Sequence, residues 1–161
     1  MELEIYQIDA FTSEVFKGNP ACVVPLRGWL KDEILLKIAK ENNVSETAFL
    51  IKNKNDFYIR WFTPNIEMDL CGHATLATAH YLKQYQNYPD DKILFHTKSG
   101  ILKCKFIKGN IQLELPLREP KKSKLPKNLD NAINYKPIEI LKARDFILVY
   151  DNQLKIENIK I

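Results

Sequence analysis

A cysteine, a glycine and a histidine lie side by side where a helix of small residues is predicted to begin. They are Cys71, Gly72 and His73, and the pattern up to about Gln84 is strongly helical with little side-chain bulk. The first turn of a helix has unpaired amides and partial positive charge, so it can hold a carboxylate or a phosphate. An imidazole there is disfavoured as a cation and can donate a hydrogen bond while neutral. His73 is therefore a candidate catalytic helper, or a residue that caps its own helix.

A carboxylate at the head of a predicted strand is the second candidate. Glu46 lies between Ser45 and Thr47, at the start of an apolar segment. At the edge of a dry cavity, loss of water favours the protonated carboxyl group and suits it to carry protons. Without such a cavity, an acidic residue in this position is solvated or caps a turn. Asn19 in the sequence KGNP precedes a proline, which is typical of a plain turn residue.

The elements that must position these residues follow from hydrophobic periodicity. Helices are predicted at 31–41 and 72–84, and strands at 2–10, 21–25, 46–52, 56–63, 92–97, 101–107 and 111–116. Lys108, Gly109 and Asn110 form a hairpin signal between the last two strands. The prediction is an α+β fold in which a curved, mostly antiparallel sheet closes over one helix of small residues.

Composition excludes several classes of protein. The chain has 161 residues, 45% hydrophobic and 27% charged, as expected of a soluble domain or of one domain and part of another. No apolar run could span a bilayer, and residues 1–11 alternate like a strand, so a cytoplasmic protein with no membrane partner is predicted. Three cysteines without paired spacing predict neither a disulfide framework nor a zinc module.

The net charge of +4 comes largely from the proline- and lysine-rich segment 116–127. This segment has no interleaved aromatic residues, so it is interpreted as a solvated linker and no nucleic-acid partner is expected. A short helix at 125–132 and a strand at 145–150 are predicted after it. The predicted domains are 1–118 and 119–161, and the second part is too short to fold well alone. It is expected to be an appendage or the truncated start of a second domain.

Four motifs in order resemble the PhzF-like isomerase family of phenazine biosynthesis. They are QIDAFTSEVFKGNPACVV at 7–24, NNVSETAFL at 42–50, RWFTPNIEMDLCGHATLATAH at 60–80 and HTKSGIL at 96–102, and KARDFILVYDN at 142–152 is similar to the start of a second domain. The resemblance implies two similar domains of the diaminopimelate-epimerase-like fold, with an active site in the cleft between them. This chain would supply one wall of that cleft.

The resemblance also implies roles for individual residues. Glu46, in the family's SET motif, would be the general acid and base that moves a proton between two carbons of the substrate without a cofactor. His73 would assist it. The amide of Gly72 would bind a substrate carboxylate, and Ser45 and Asn19 would line that site.

Cys71 leaves an alternative open, because related racemases of this fold use a cysteine at this place as a base. The start of a helix can lower the pKa of a thiol. The following residues are Gly72, His73, Ala74 and Thr75, which resemble the isomerase pattern and not the racemase CGNG, so a packed small residue is favoured. No metal site is predicted, because His73 and His80 are seven residues apart rather than four.

The leading hypothesis is a cofactor-free isomerase that acts on a small carboxylated metabolite. One alternative is a catalytically silent, truncated or split half-protein that pairs with a second copy or with a complementing second-domain chain. The family's second-domain aspartate and its Gly-Ser-Ala-His-like loop have no counterpart in this sequence. The other alternative is an epimerase or racemase that uses Cys71. His80 and His96 are expected to be structural.

Overall fold

The predicted elements fall into two units in the computed structural model, which describes residues 2–14 and 16–160. The first unit is Met1–Pro116 and the second is Leu117–Ile161. Within the described residues, no helix is both long and apolar enough to cross a membrane. The candidate site residues all belong to the first unit.

The first unit contains one large sheet and two helices. Its helices are α1 (Asp32–Asn42) and α2 (Gly72–Gln84), and its strands are β1 (Tyr6–Ala10), β2 (Asn19–Leu26), β3 (Glu46–Asn53), β4 (Asp56–Phe62), β5 (Glu67–Met68), β6 (Lys92–Thr97), β7 (Gly100–Ile107) and β8 (Asn110–Glu114). The strand order is β1-β2-β3-β4-β6-β7-β8, with β5 paired to β4. The β2–β3 and β4–β6 pairs are parallel and the others are antiparallel. The predicted α+β arrangement is therefore confirmed.

Helix α2 is enclosed by the sheet. It contacts β1, β2, β3 and β8, which include both ends of the strand order, so the sheet must curve around it. Ala74, Ala77 and Ala79 are fully or almost fully buried, and their small side chains allow the strands to approach the helix closely. The buried hydroxyl of Thr78 donates to the carbonyl oxygen of Ala74 (2.7 Å), so its polar group is satisfied inside the helix.

Helix α1 packs with a second, smaller hydrophobic cluster. Leu35 and Ala39 of the helix are buried there with Phe49 of β3 and Phe62 of β4. The helix ends beside the start of β3, where the side-chain amide of Asn42 donates to the hydroxyl of Thr47 (3.1 Å). This packing fixes the point at which β3 begins.

The second unit contains a three-stranded antiparallel sheet. Its elements are β9 (Lys121–Lys122), α3 (Lys127–Ala132), β10 (Glu139–Lys142), β11 (Phe146–Val149) and α4 (Gln153–Glu157). The strand order is β11-β10-β9. The interpretation of 116–127 as a solvated linker is wrong in part, because β9 lies within this segment and pairs with β10.

Most predicted elements are present, with shifted ends. The strand expected at 2–10 begins at Tyr6, where its pairing with β2 begins. The strand expected at 111–116 ends at Glu114, two residues before Pro116, which has no amide hydrogen to donate. The helix expected at 125–132 starts only after Pro126, because the residue before a proline avoids helical angles. The sequence patterns did not predict β5, β9, β10 or α4.

The predicted hairpin between β7 and β8 is confirmed. Lys108 and Gly109 form its two-residue turn, with φ angles of 48° and 80°. Two successive positive φ angles are typical of the tight turns that connect twisted antiparallel strands.

Candidate active site

Glu46 is brought to the start of helix α2 by the order of the strands. It is the first residue of β3 and pairs in parallel register with Ala21 of β2. Its side chain is 17% exposed, and its Oε2 atom lies 3.2 Å from Nε2 of His73 in the first turn of α2. Two residues that are 27 positions apart in the sequence thus meet at one site.

The imidazole of His73 lies between a thiol and a carboxylate. Its Nδ1 is 3.5 Å from Sγ of Cys71, and its Nε2 faces Glu46. When the thiol donates to Nδ1, the ring hydrogen lies on Nε2. Nε2 is close to the carboxylate but is not aligned with it as a hydrogen bond, so this buried nitrogen has no hydrogen-bond partner among the described residues. Such a nitrogen is available to a ligand.

Cys71 is the N-cap residue of α2 and is itself buried. Burial raises the pKa of its thiol to about 12, and the nearby Glu46 carboxylate adds to the increase, while the backbone amides of Ala74 and His73 partly oppose it. The helix start therefore does not give Cys71 the low thiol pKa that the racemase alternative needs, and its burial agrees with the favoured interpretation of a packed residue. Desolvation outweighs the favourable effect of the helix terminus.

Ser45 and Asn19 form a polar pair at the adjacent ends of two strands. The hydroxyl of Ser45 donates to Oδ1 of Asn19 (2.9 Å), which is the first residue of β2. The preceding turn requires Gly18, because its φ is +84° and a Cβ there would lie 2.3 Å from the carbonyl oxygen of Ala10. This turn sets the position from which the side chain of Asn19 reaches Ser45.

Gly72 is the first residue of α2, and there is free space beside its Cα atom. A Cβ at this position would meet only the Cδ1 atom of Leu115, at 3.9 Å, which is an ordinary contact distance. The glycine therefore leaves space beside the first amides of the helix, where an anionic group is favoured.

An ion-pair cluster holds the segment that leads into α2, and the sequence analysis missed it. The guanidinium of Arg60 donates to both carboxylate oxygens of Glu67 (2.8 and 2.7 Å), and Nζ of Lys98 is 2.6 Å from the same carboxylate. The hydroxyl of Ser99 donates to the carbonyl oxygen of Asp69 (2.8 Å). The opposite charges at 60 and 67 give a weak sequence signal, because their pairing depends on β5 folding back onto β4.

The other two histidines lie elsewhere. His80 is exposed on α2, and His96 is a residue of β6 whose Nε2 lies 3.0 Å from Oδ2 of Asp56. The structure thus brings together Glu46, Cys71 and His73, whose ligand atoms are all within 4.8 Å of one another.

Residues 8–143 match the family model described as phenazine biosynthesis-like protein. The chain belongs to this family. It is 43% identical over 153 residues to an uncharacterized isomerase of Pseudomonas aeruginosa, an alignment that covers 95% of this chain and 59% of that relative. The chain therefore spans about three-fifths of the length of this relative.

Solved structures show the same fold. A PhzF-family protein from Enterococcus faecalis is 38% identical, with a TM-score of 0.87 over 99% of this chain and 62% of that one. A predicted epimerase from Pseudomonas aeruginosa is 18% identical, with a TM-score of 0.72 over 99% of this chain and 64% of its own. The second likeness concerns the fold alone, and it confirms the predicted epimerase-like fold.

Proposed function

We propose that this protein is an isomerase that moves a proton between two carbon atoms of a small carboxylated metabolite, using Glu46 and no cofactor. The observation that carries the proposal is the 3.2 Å contact between Oε2 of Glu46 and Nε2 of His73 at the start of α2. Membership of the family and a relative named an isomerase support the reaction class.

In the proposed reaction Glu46 first acts as a base. Its carboxylate takes a proton from a carbon next to an electron-withdrawing group, and the electron pair of that C–H bond stays on the substrate. The resulting carboxylic acid returns the proton to another carbon, so no atom or electron is gained or lost. Positioned general acid–base catalysis of this kind contributes about 10²- to 10⁴-fold in rate.

The neighbouring groups would bind and orient the substrate. The amide of Gly72, at the positive end of the helix dipole, holds the substrate carboxylate. Nε2 of His73, buried and without a hydrogen-bond partner among the described residues, donates to an oxygen on which negative charge develops. Ser45 and Asn19, joined by their 2.9 Å hydrogen bond, line the edge of the same site.

The burial of Cys71 favours Glu46 as the base. With a pKa of about 12, the thiol of Cys71 is almost entirely protonated near neutral pH, whereas nucleophilic and basic cysteines act as thiolates. The epimerase alternative would need this thiol to lose its proton in a site that already contains the Glu46 carboxylate.

A deuterium-exchange experiment tests the proposal. The protein is incubated in D₂O with a panel of small amino, hydroxy and unsaturated carboxylic acids, and loss of C–H signals is followed by proton NMR. We expect exchange into at least one acid, and a decrease of about 10²- to 10⁴-fold in the E46Q variant. The matched control is E41Q, because Glu41 is an exposed residue of α1. Exchange that persists in E46Q and disappears in C71S would assign the base to Cys71 instead.

A further inference from the structure

The contact between Cys71 and His73 depends on the way in which α2 begins. Two residues that are two positions apart on a regular helix point to different faces. Cys71 precedes the first helical turn with extended backbone angles (φ −144°, ψ 117°), which allow its side chain to reach the ring of His73. The buried hydroxyl of Thr75 donates to the carbonyl oxygen of Cys71 (2.5 Å) and holds this residue in place. The thiol makes no hydrogen bond that caps the helix, and its sulfur lies 3.5 Å from Nδ1 of His73.

The sulfur in this contact carries a hydrogen. Burial raises the pKa of Cys71 to about 12, and the nearby carboxylate of Glu46 adds to the increase. The side chain is therefore a neutral thiol near neutral pH, and it can donate its hydrogen to a bare imidazole nitrogen. A thiol is a weak donor in water, but burial strengthens the electrostatic part of such a hydrogen bond. Nδ1 of His73 is then the acceptor.

The carboxylate on the opposite edge of the ring favours the same arrangement. A neutral imidazole has one N–H group and one bare nitrogen. If the hydrogen were on Nδ1, the lone pair of Nε2 would face Oε2 of Glu46 at 3.2 Å in a buried site, and the two groups would repel each other. With the hydrogen on Nε2, the N–H group is on the side of the carboxylate and the bare nitrogen faces the thiol. Both neighbours therefore favour the Nε2–H tautomer.

We propose that Cys71 is a positioning residue, whose thiol donates to Nδ1 of His73 and thereby keeps the ring hydrogen on Nε2 for donation to a substrate oxygen. The thiol acts through the imidazole and exchanges no proton with the substrate. Nε2 is buried and has no hydrogen-bond partner among the described residues, so the hydrogen held there is available to a ligand. Only the effect on turnover rests on the proposed function, because the tautomer of His73 is a property of the protein without substrate.

Nitrogen-15 NMR of the histidine rings tests this role without any substrate. The protein is labelled with nitrogen-15 in its histidines, and the signals of His73 are assigned by their loss in H73Q. Near neutral pH we expect Nε2 to carry the hydrogen and Nδ1 to be an acceptor in the unchanged protein. In C71A the Nδ1 signal should shift because its donor is gone, and the fraction with hydrogen on Nδ1 should increase. C71S keeps a hydroxyl donor, so it should return both signals toward their original positions.

Cys104 provides the matched control. Its thiol is also free and buried, and burial also raises its pKa to about 12, but it belongs to β7. C104A should therefore leave the ring signals of His73 unchanged. Circular dichroism shows whether each variant is folded. If C71A does not fold, C71V takes its place, because valine fills a similar volume and has no hydrogen to donate.

The deuterium-exchange assay measures the consequence for turnover. C71A should lower kcat about tenfold with little change in KM, which is less than the loss of roughly 10²- to 10³-fold that follows removal of a charge-stabilising donor. C71S should recover most of this loss, whereas a catalytic thiolate could not be replaced by a hydroxyl.

The two sets of measurements fail separately. The proposal is overturned if the unchanged protein carries the ring hydrogen on Nδ1, if C71A leaves the Nδ1 signal in place, or if C104A shifts that signal as much as C71A does. Exchange by C71A at the full rate also contradicts it. If the unchanged protein exchanges no acid, the proposed function fails, and the NMR signals still decide the role of Cys71.

Discussion

The ion pair between Arg60 and Glu67 is expected to stabilise the segment that leads into α2. Their side chains are 17% and 15% exposed, and the guanidinium also lies 5.3 and 5.1 Å from the ring centroids of Trp29 and Phe62. Removing one member of a buried pair costs about 3–5 kcal/mol, whereas an exposed pair contributes about 0–1 kcal/mol. Because Lys98 still faces Glu67, we expect R60M to lower the free energy of unfolding by about 2 kcal/mol.

Urea unfolding followed by tryptophan fluorescence measures this loss. A double-mutant cycle with E67L isolates the pair and should give a coupling energy of about 1–2 kcal/mol. The control is R27M, because Arg27 is exposed, and its effect should stay within about 0.5 kcal/mol. Hydrogen exchange should also become faster in the first turn of α2, which begins four residues after the end of β5. A coupling energy near zero would refute the argument.

The pair also predicts a pH dependence of stability. The hydrogen bond from Arg60, assisted by Lys98, lowers the pKa of Glu67 below its usual value of 4.5, although burial opposes the shift. A folded-state pKa below the unfolded one means that this stabilisation is complete above about pH 4.5 and is lost as the pH falls through the folded-state pKa. The free energy of unfolding of E67Q should therefore fall less on acidification than that of the unchanged protein.

Two further predictions concern the start of α2. The variant G72A should keep its stability or gain up to about 1 kcal/mol, because the added methyl group only touches Leu115 at 3.9 Å. If a substrate carboxylate binds this amide, G72A should raise the KM of the exchange reaction about tenfold. An unchanged KM would remove Gly72 from the binding site. Iodoacetamide at pH 8 should modify Cys71 on the order of a thousandfold more slowly in the native protein than in urea, because little thiolate is present at a pKa of about 12. Rapid native labelling, located by peptide mass spectrometry, would contradict the assigned burial.

The sequence by itself determined the local elements and the family. Hydrophobic periodicity depends on residues close together in the chain, so α2, β3 and the β7–β8 hairpin could be predicted from their own residues. The four motifs were enough to identify the family, which the match over residues 8–143 confirms. The roles of Glu46, His73 and Gly72 stay predictions that the deuterium-exchange experiments address.

The tertiary structure decided which side chains meet and which lose water. The 3.2 Å contact between Glu46 and His73 depends on the position of β3 beside α2, which no local pattern contains. The sequence pattern favoured a packed Cys71 but left a basic thiol open, and enclosure of the helix start by the sheet raises the pKa of this thiol to about 12. Desolvation is the sum of all surrounding atoms, most of them distant in sequence, so only the folded chain could determine that Cys71 stays protonated.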